Sequence, residues 1–204
     1  LSPEDIERHG ETADLEVKIK LAQNRSASSE FLHHCLIGKN GKVRRAAEQR
    51  WHYPSDFIRK SLKHGNANVR AVVAGLAGVP RDQLLCLAKD PALKVRRKLV
   101  DRLSCGRFQH WTTTNREVVA LLSHDRKASI RARIVHDWRL PVSRIKEMLN
   151  DPSSKVRQAI ALNLRFPQEV YASLVLDQDA DVRGVACERL LRFGYDWGRQ
   201  NAML

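Results

Sequence analysis

No stretch of this 204-residue chain approaches eighteen consecutive apolar residues, and no secretory leader is visible. A membrane-spanning helix is therefore excluded on length, and a soluble, cytoplasmic chain is expected. Cysteine is scarce: Cys35, Cys86, Cys105 and Cys187 include no C-x-x-C pair. They are expected as reduced thiols, with Cys35 and Cys187 on apolar positions. His33-His34-Cys35 places three ligand types side by side, but adjacent side chains diverge on a helix, so no metal is expected there. Enzyme signatures are missing too: there is no P-loop, G-x-S-x-G, H-E-x-x-H or G-x-G-x-x-G. The expectation is a non-catalytic protein with no cofactor.

What the chain does have is a period. The steps Val17-Lys18, Val43-Arg44, Val69-Arg70, Val95-Arg96, Ile130-Arg131, Val156-Arg157 and Val182-Arg183 are separated by 26, 26, 26, 35, 26 and 26 residues. Such regularity is the signature of a stacked-repeat protein. Pro54, Pro80, Pro141 and Pro167 each fall eleven residues after the Val or Ile, where a proline stops one helix and turns the chain into the next.

Within a unit, residues zero, four and eight after the Val share one helical stripe. Val43, Ala47 and Trp51 form one such set, Ile130, Ile134 and Trp138 another, and Val156, Ile160 and Leu164 a third. Trp51 and Trp138 are accordingly expected in the core. A shorter apolar pattern follows each proline and predicts a second, antiparallel helix, with a 3₁₀ helix as a narrower variant. Asp90-Pro91 and Asp151-Pro152 read as an N-cap followed by the first helical residue, so the Val-Arg helix is expected to start there. Neither helix can bury its face alone. The fold class is therefore all-α, a right-handed α-solenoid of about seven two-helix repeats forming one domain over 1–204. The repeats run from about residue 12 to 193, with a nine-residue insertion near 104–114 and capping ends.

The pattern Asp-Pro-x-x-x-Val-Arg-x-x-Val/Ile-Ala, then Pro, then Leu-x-x-Leu, resembles the leucine-rich repeat variant family. The six-residue spacing from Asp to Arg is similar to that of HEAT repeats. The resemblance covers nearly the whole chain and implies architecture, because such solenoids serve many tasks. That family is associated with an N-terminal iron–sulfur cluster on clustered cysteines, which this sequence lacks, so the cofactor is not implied here.

Charge is unevenly placed. The formal net charge is +13, with residues 41–165 carrying +17 between ends of −2 each. This suggests a basic surface for nucleic acid or another polyanion. In four units an acid precedes the arginine by six residues (Asp90 and Arg96, Asp125 and Arg131, Asp151 and Arg157, Asp177 and Arg183), and these pairs are expected to form a structural ladder. Arg44 and Arg70 have Gly38 and His64 at that spacing and are expected to be available for an anion.

Residues two, three, six and nine after the Val are expected to face away from the core. They supply Arg45, His52, Arg97, Lys98, Arg133, His136, Arg139 and Arg165, while Ala71, Gly75 and Gly78 leave a smooth gap in the third unit. The insertion adds Arg107, Phe108, His110 and Trp111, suited either to stacking on a base or to packing on the array. The expected function is a binding module for nucleic acid. The alternative is a scaffold for an acidic protein segment. A more remote one is a HEAT-like DNA glycosylase using Trp111, Asp137 and Trp197. No membrane partner is expected.

Overall fold

A computed structural model describes residues 14–50, 52–76, 78–104 and 113–201, with side chains described from 115 to 192 in the last segment. Among the described residues the chain is all-α, and each Val-Arg step sits in the first helix of a pair. These first helices are α1 (Leu15–Gln23), α3 (Gly41–Glu48), α5 (Ala67–Gly75), α7 (Leu93–Ser104), α9 (Ala128–Ile134), α11 (Ser154–Leu162) and α13 (Ala180–Asn201). Between them lie α2 (Ser29–Ile37), α4 (Phe57–Leu62), α6 (Arg81–Ala88), α8 (Thr113–Ser123), α10 (Val142–Met148) and α12 (Gln168–Ala172). The second helices are short but α-helical, so the 3₁₀ variant is not what forms.

The chain divides into two compact units, 1–102 and 103–204, at the edge of the nine-residue excess. In the first unit α1 packs on α3, α2 on α3 and α5, and α4 on α5. In the second, α9 packs on α11 and α11 on α13, while α8, α10 and α12 fill in beside them.

The core follows from the stripe. Val43, Ala47, Val69, Val73, Val95, Leu99, Ile130, Ile134, Val156, Ile160, Val182 and Ala186 are all buried. Each large aliphatic chain among them contributes about 1.5–3 kcal/mol on removal from water. The second helices answer with Leu32, Leu36, Phe57, Leu84, Leu87, Val119, Leu122, Ile145, Met148 and Tyr171, and Leu174 follows in the turn after α12.

The stripe fails at its third member. Trp138 is 46% exposed and Leu164 70% exposed. The reason is helix length: α9 stops at Ile134 and α11 at Leu162, so the residue eight after the Ile or Val lies beyond the helix, where helical spacing no longer governs its direction. Buried Val135, Asp137 and Asn163 take up the inward positions there. Trp51, the other tryptophan expected in the core, lies outside the described residues.

The helix starts also differ from expectation. Asp90 and Asp151 do not cap the helices directly. Their Oδ1 atoms accept from the backbone N–H of Ala92 at 2.8 Å and of Ser153 at 2.9 Å, closing a turn that precedes α7 and α11. Gly78, expected on an open face, is an exposed turn residue with φ +72°, a backbone that favours glycine.

One polar group inside the first unit bears on pH. Ser61 is fully buried, and its Oγ shares a 2.7 Å hydrogen bond with Nε2 of His33. Burial and then the neighbouring His64 push the pKa of His33 below its ordinary value of 6.5. The folded chain therefore binds fewer protons than the unfolded chain as pH falls through 6.5, and stability is lost on the acid side. The melting temperature is expected to fall as pH drops from neutrality through that range, and to fall less in His33→Gln. An equal fall in both chains, followed by circular dichroism, would remove His33 as the cause.

Candidate anion-binding surface

The repeat arginines do not pair as their six-residue spacing suggests. Arg131 donates Nη1 to the backbone carbonyl of Asp125 at 2.7 Å, not to its carboxylate. Its Nε and Nη2 form a two-pronged bond with the carboxylate of Asp151, twenty residues later, both at 2.7 Å. Arg157 repeats this with the Asp151 carbonyl and the Asp177 carboxylate. Arg70 does so with the His64 carbonyl and the Asp90 carboxylate. Arg96 donates to the Asp90 carbonyl at 2.7 Å, and Arg183 to that of Asp177 at 2.8 Å. The forks of Arg70, Arg131 and Arg157 thus close their own turns and reach into the next repeat.

These pairs are largely sheltered. Hydrogen bonding to aspartate raises Arg70, Arg131 and Arg157 above the ordinary arginine value. For Asp151, burial works to raise the pKa, but the Arg131 bonds and the Ser153 N–H hold it below the ordinary carboxylate value. The bonds from Arg157 lower Asp177.

Arg70 is therefore not available for an external anion; its acid was simply twenty residues on. Arg44 is the exception. Its twentieth residue is His64, whose Nδ1 accepts from Asn66 N–H at 3.0 Å as the aspartates accept from their own turns. Arg44 donates Nη2 to the Gly38 carbonyl at 3.0 Å, and its buried Nε has no hydrogen-bond partner.

A second set of cations is also structural. Arg139 lies against Asp137, with Nε to Oδ1 at 2.8 Å and Nη2 to Oδ2 at 2.5 Å, the side chains 4% and 1% exposed. The same Nη2 donates to the Leu103 carbonyl at 3.0 Å. Arg165 is exposed, yet its Nη2 donates to the carbonyls of Val135 and Asp137 at 3.3 and 2.5 Å. Arg50, which the repeat pattern did not single out, bonds the carbonyls of Ala22 and Asn24 with Nη1 and Nη2. Positive groups here satisfy carbonyls at or just past the C-terminal end of the preceding first helix, where the helix dipole is negative. Arg139 thus points inward rather than away from the core.

The remaining expected residues do reach the surface. Arg45, Arg97, Lys98, Arg133, His52 and His136 are exposed. Arg107 and Trp111, with Phe108 and His110, lie outside the described residues. Arg97 and Lys98 join Lys94 on the wall of a groove of about 450 Å³ between α5 and α7. Its floor is Ala71, Val72 and Leu93, and Glu48 and Asp101 complete the lining. Lys94 was legible in principle: residues 94, 97 and 98 have the spacing of one helical face. The expected gap at Gly75 is covered, since a Cβ there would come within 3.0 Å of the Lys98 Cε.

Comparison with known proteins adds little to this geometry. No protein-family model and no curated protein matches the chain. Among solved structures it is similar to a protein described as "a leucine-rich repeat variant with a novel repetitive protein structural motif". That match has 22% identity, covers 92% of this chain and 82% of the other, and has a TM-score of 0.39. The helix-pair architecture therefore stands on the chain's own elements.

The forks lead to two expected outcomes. A double-mutant cycle on Arg131→Ala and Asp151→Ala, read by denaturant unfolding, is expected to give a coupling of about 1–3 kcal/mol, because either single change strands a sheltered charge. Additive losses would break the fork interpretation. His64→Asp supplies the carboxylate that Arg44 lacks, and is expected to raise the melting temperature by a few degrees. The same substitution in an Arg44→Ala background should not.

Proposed function

We propose that the chain is a non-catalytic binding module for a polyanion, and that the polyanion is nucleic acid. The observation that carries this reading is the groove between α5 and α7, where Lys94, Arg97 and Lys98 stand exposed over a floor of small apolar residues. Side chains of this kind lay their methylene stems along apolar surface while the charged heads take phosphate oxygens. The net charge of +13 gives the same anion a long-range attraction.

The apolar floor of Ala71, Val72 and Leu93 also favours a second reading, an acidic protein segment that seats an apolar side chain in the groove. The two differ in salt dependence. Neutralising a polyelectrolyte releases condensed counterions and gives a steep dependence of affinity on salt, whereas a short acidic peptide does not. A glycosylase would need an accessible acid, and Asp137 has both carboxylate oxygens bonded to Arg139.

Replacing Lys94 and Arg97 together by Glu is expected to weaken binding to nucleic acid about tenfold or more at low salt and to flatten the salt dependence by roughly one to two phosphate contacts. Both side chains are exposed, so melting should change little. Fluorescence anisotropy at several salt concentrations reads the slope. An unchanged slope with intact folding would rule out the groove as the phosphate-binding site.

A further inference from the structure

The last repeat of the second unit carries an arginine with only half of its fork engaged. Arg183 donates Nη1 to the carbonyls of Asp177 and Gln178 at 2.8 and 3.1 Å, as Arg70 does to those of His64 and Gly65. Its Nε and Nη2 bond no acceptor among the described residues, and the residue is exposed. In Arg70, Arg131 and Arg157 those same two nitrogens hold an aspartate of the next repeat, and the arginine side chains are 14, 13 and 13% exposed.

The open prongs stand at the head of an uncovered stripe. Cys187 and Leu191 follow Arg183 at four and eight residues along α13, which puts all three on one face of the helix. All three are exposed, Leu191 by 75%. In earlier repeats the residue four after the fork arginine is Ala74, Val135 or Ala161, and each is fully buried. There the covering helix arrives with its aspartate: α11 packs on α9 and brings Asp151 to Arg131, and α13 packs on α11 and brings Asp177 to Arg157. The face of α13 thus has the composition of a repeat interface and lacks its cover among the described residues.

We infer that the face formed by Arg183, Cys187 and Leu191 docks an aspartate-led helix of a different protein, whose carboxylate takes Nε and Nη2 of Arg183 while the helix covers Cys187 and Leu191. The chain itself shows the chemistry of this ligand three times. Asp90, Asp151 and Asp177 each stand three residues before the helix that follows them, at Leu93, Ser154 and Ala180, and each fills the prongs of an arginine in the preceding repeat. A planar guanidinium takes a carboxylate in this two-pronged way, and a helix without the acid would leave the charge covered and unpaired. Glu188, five residues after Arg183, is paired with Arg192 at 2.6 Å. A second copy of this chain has no such aspartate to offer: Asp90, Asp151 and Asp177 are held by arginines, and Asp125 by its own turn and further contacts. The inference stands apart from the nucleic-acid reading, whose groove lies in the first unit.

The test uses the full chain and, as probe, a fluorescent peptide of residues 174–192, the segment that brings Asp177 to Arg157, carrying Cys187→Ser to prevent disulfide exchange. Wild type is expected to bind it in an anisotropy titration, and to bind the same peptide with Asp177→Asn about tenfold more weakly, the usual size of one charge-assisted pair. Arg183→Ala in the chain should cost the aspartate peptide about as much and the asparagine peptide nothing further, which marks a direct contact. Arg183→Lys should recover little, since an ammonium cannot supply both prongs. Leu191→Glu should weaken both peptides. These side chains are exposed, so melting temperatures should stay close to wild type and exclude unfolding as the cause. Equal binding of the aspartate and asparagine peptides would overturn the carboxylate role, and no binding of the aspartate peptide by wild type would overturn the docking face. A wild-type dimer in sedimentation that Leu191→Glu dissociates would give the face to a second copy and overturn the choice of partner.

Discussion

A guanidinium that bonds backward to a carbonyl six residues before it and forward to a carboxylate twenty residues after it fixes two separations at once. Arg70, Arg131 and Arg157 all do this. The two spacings together make up the 26-residue period, so the repeat length is a property of the fork as much as of the helices. The planar group is needed because it presents donors in fixed directions; a lysine ammonium could satisfy one partner but not hold both. The aspartate is equally committed. Asp151 accepts from Arg131, closes its own turn through Ser153 N–H, and gives its carbonyl to Arg157.

Helix ends impose a second constraint. A short helix leaves a large share of its carbonyls without an intrahelical partner, and a stack of short helices multiplies the problem. Arg50, Arg139, Asn163 and Arg165 reach back about one repeat to such carbonyls, while the hydroxyls of Tyr53 and Tyr171 cover carbonyls near the end of the first helix in their own repeat. Part of the basic excess in the middle of the sequence is consumed in this way. A charge count therefore overstates the surface offered to a partner, and only the positions of particular side chains correct it.

The sequence carried the fold far better than the site. Period, helix pairing and, from the second repeat on, the first two members of each stripe follow directly from apolar spacing, and the structure has them; Val17, in the first repeat, is exposed. The pairing of the arginines was ambiguous in the sequence, because Asp90, Asp151 and Asp177 each lie both six before one arginine and twenty after another, and the shorter separation is the tempting one. Geometry decides for the longer, since the six-residue partner presents its carbonyl. Trp138 was misplaced for a different reason. Extending helical spacing to the eighth residue assumes a helix that long, and α9 ends too early for it. Arg139 was placed outside by the same extrapolation, while Arg165, though exposed, turns a guanidinium nitrogen to the Val135 and Asp137 carbonyls.

The groove between α5 and α7 shows how an array of near-identical parts acquires a local surface. Two residues after the repeat Val, the first helices carry Arg45 on α3 and Arg97 on α7, but Ala71 on α5; three residues after it they carry Ala46, Lys98 and Val72. Small side chains on α5 lower the floor, and long cations on α7 raise the wall. Gly75 then lets the Lys98 stem cross α5 at a distance that any Cβ would crowd. Neither change disturbs the stripe, since Val69, Val73, Val95 and Leu99 stay buried beneath. The outward face can vary from repeat to repeat because the forks and the stripe, on other sides of the helix, already determine where each helix lies.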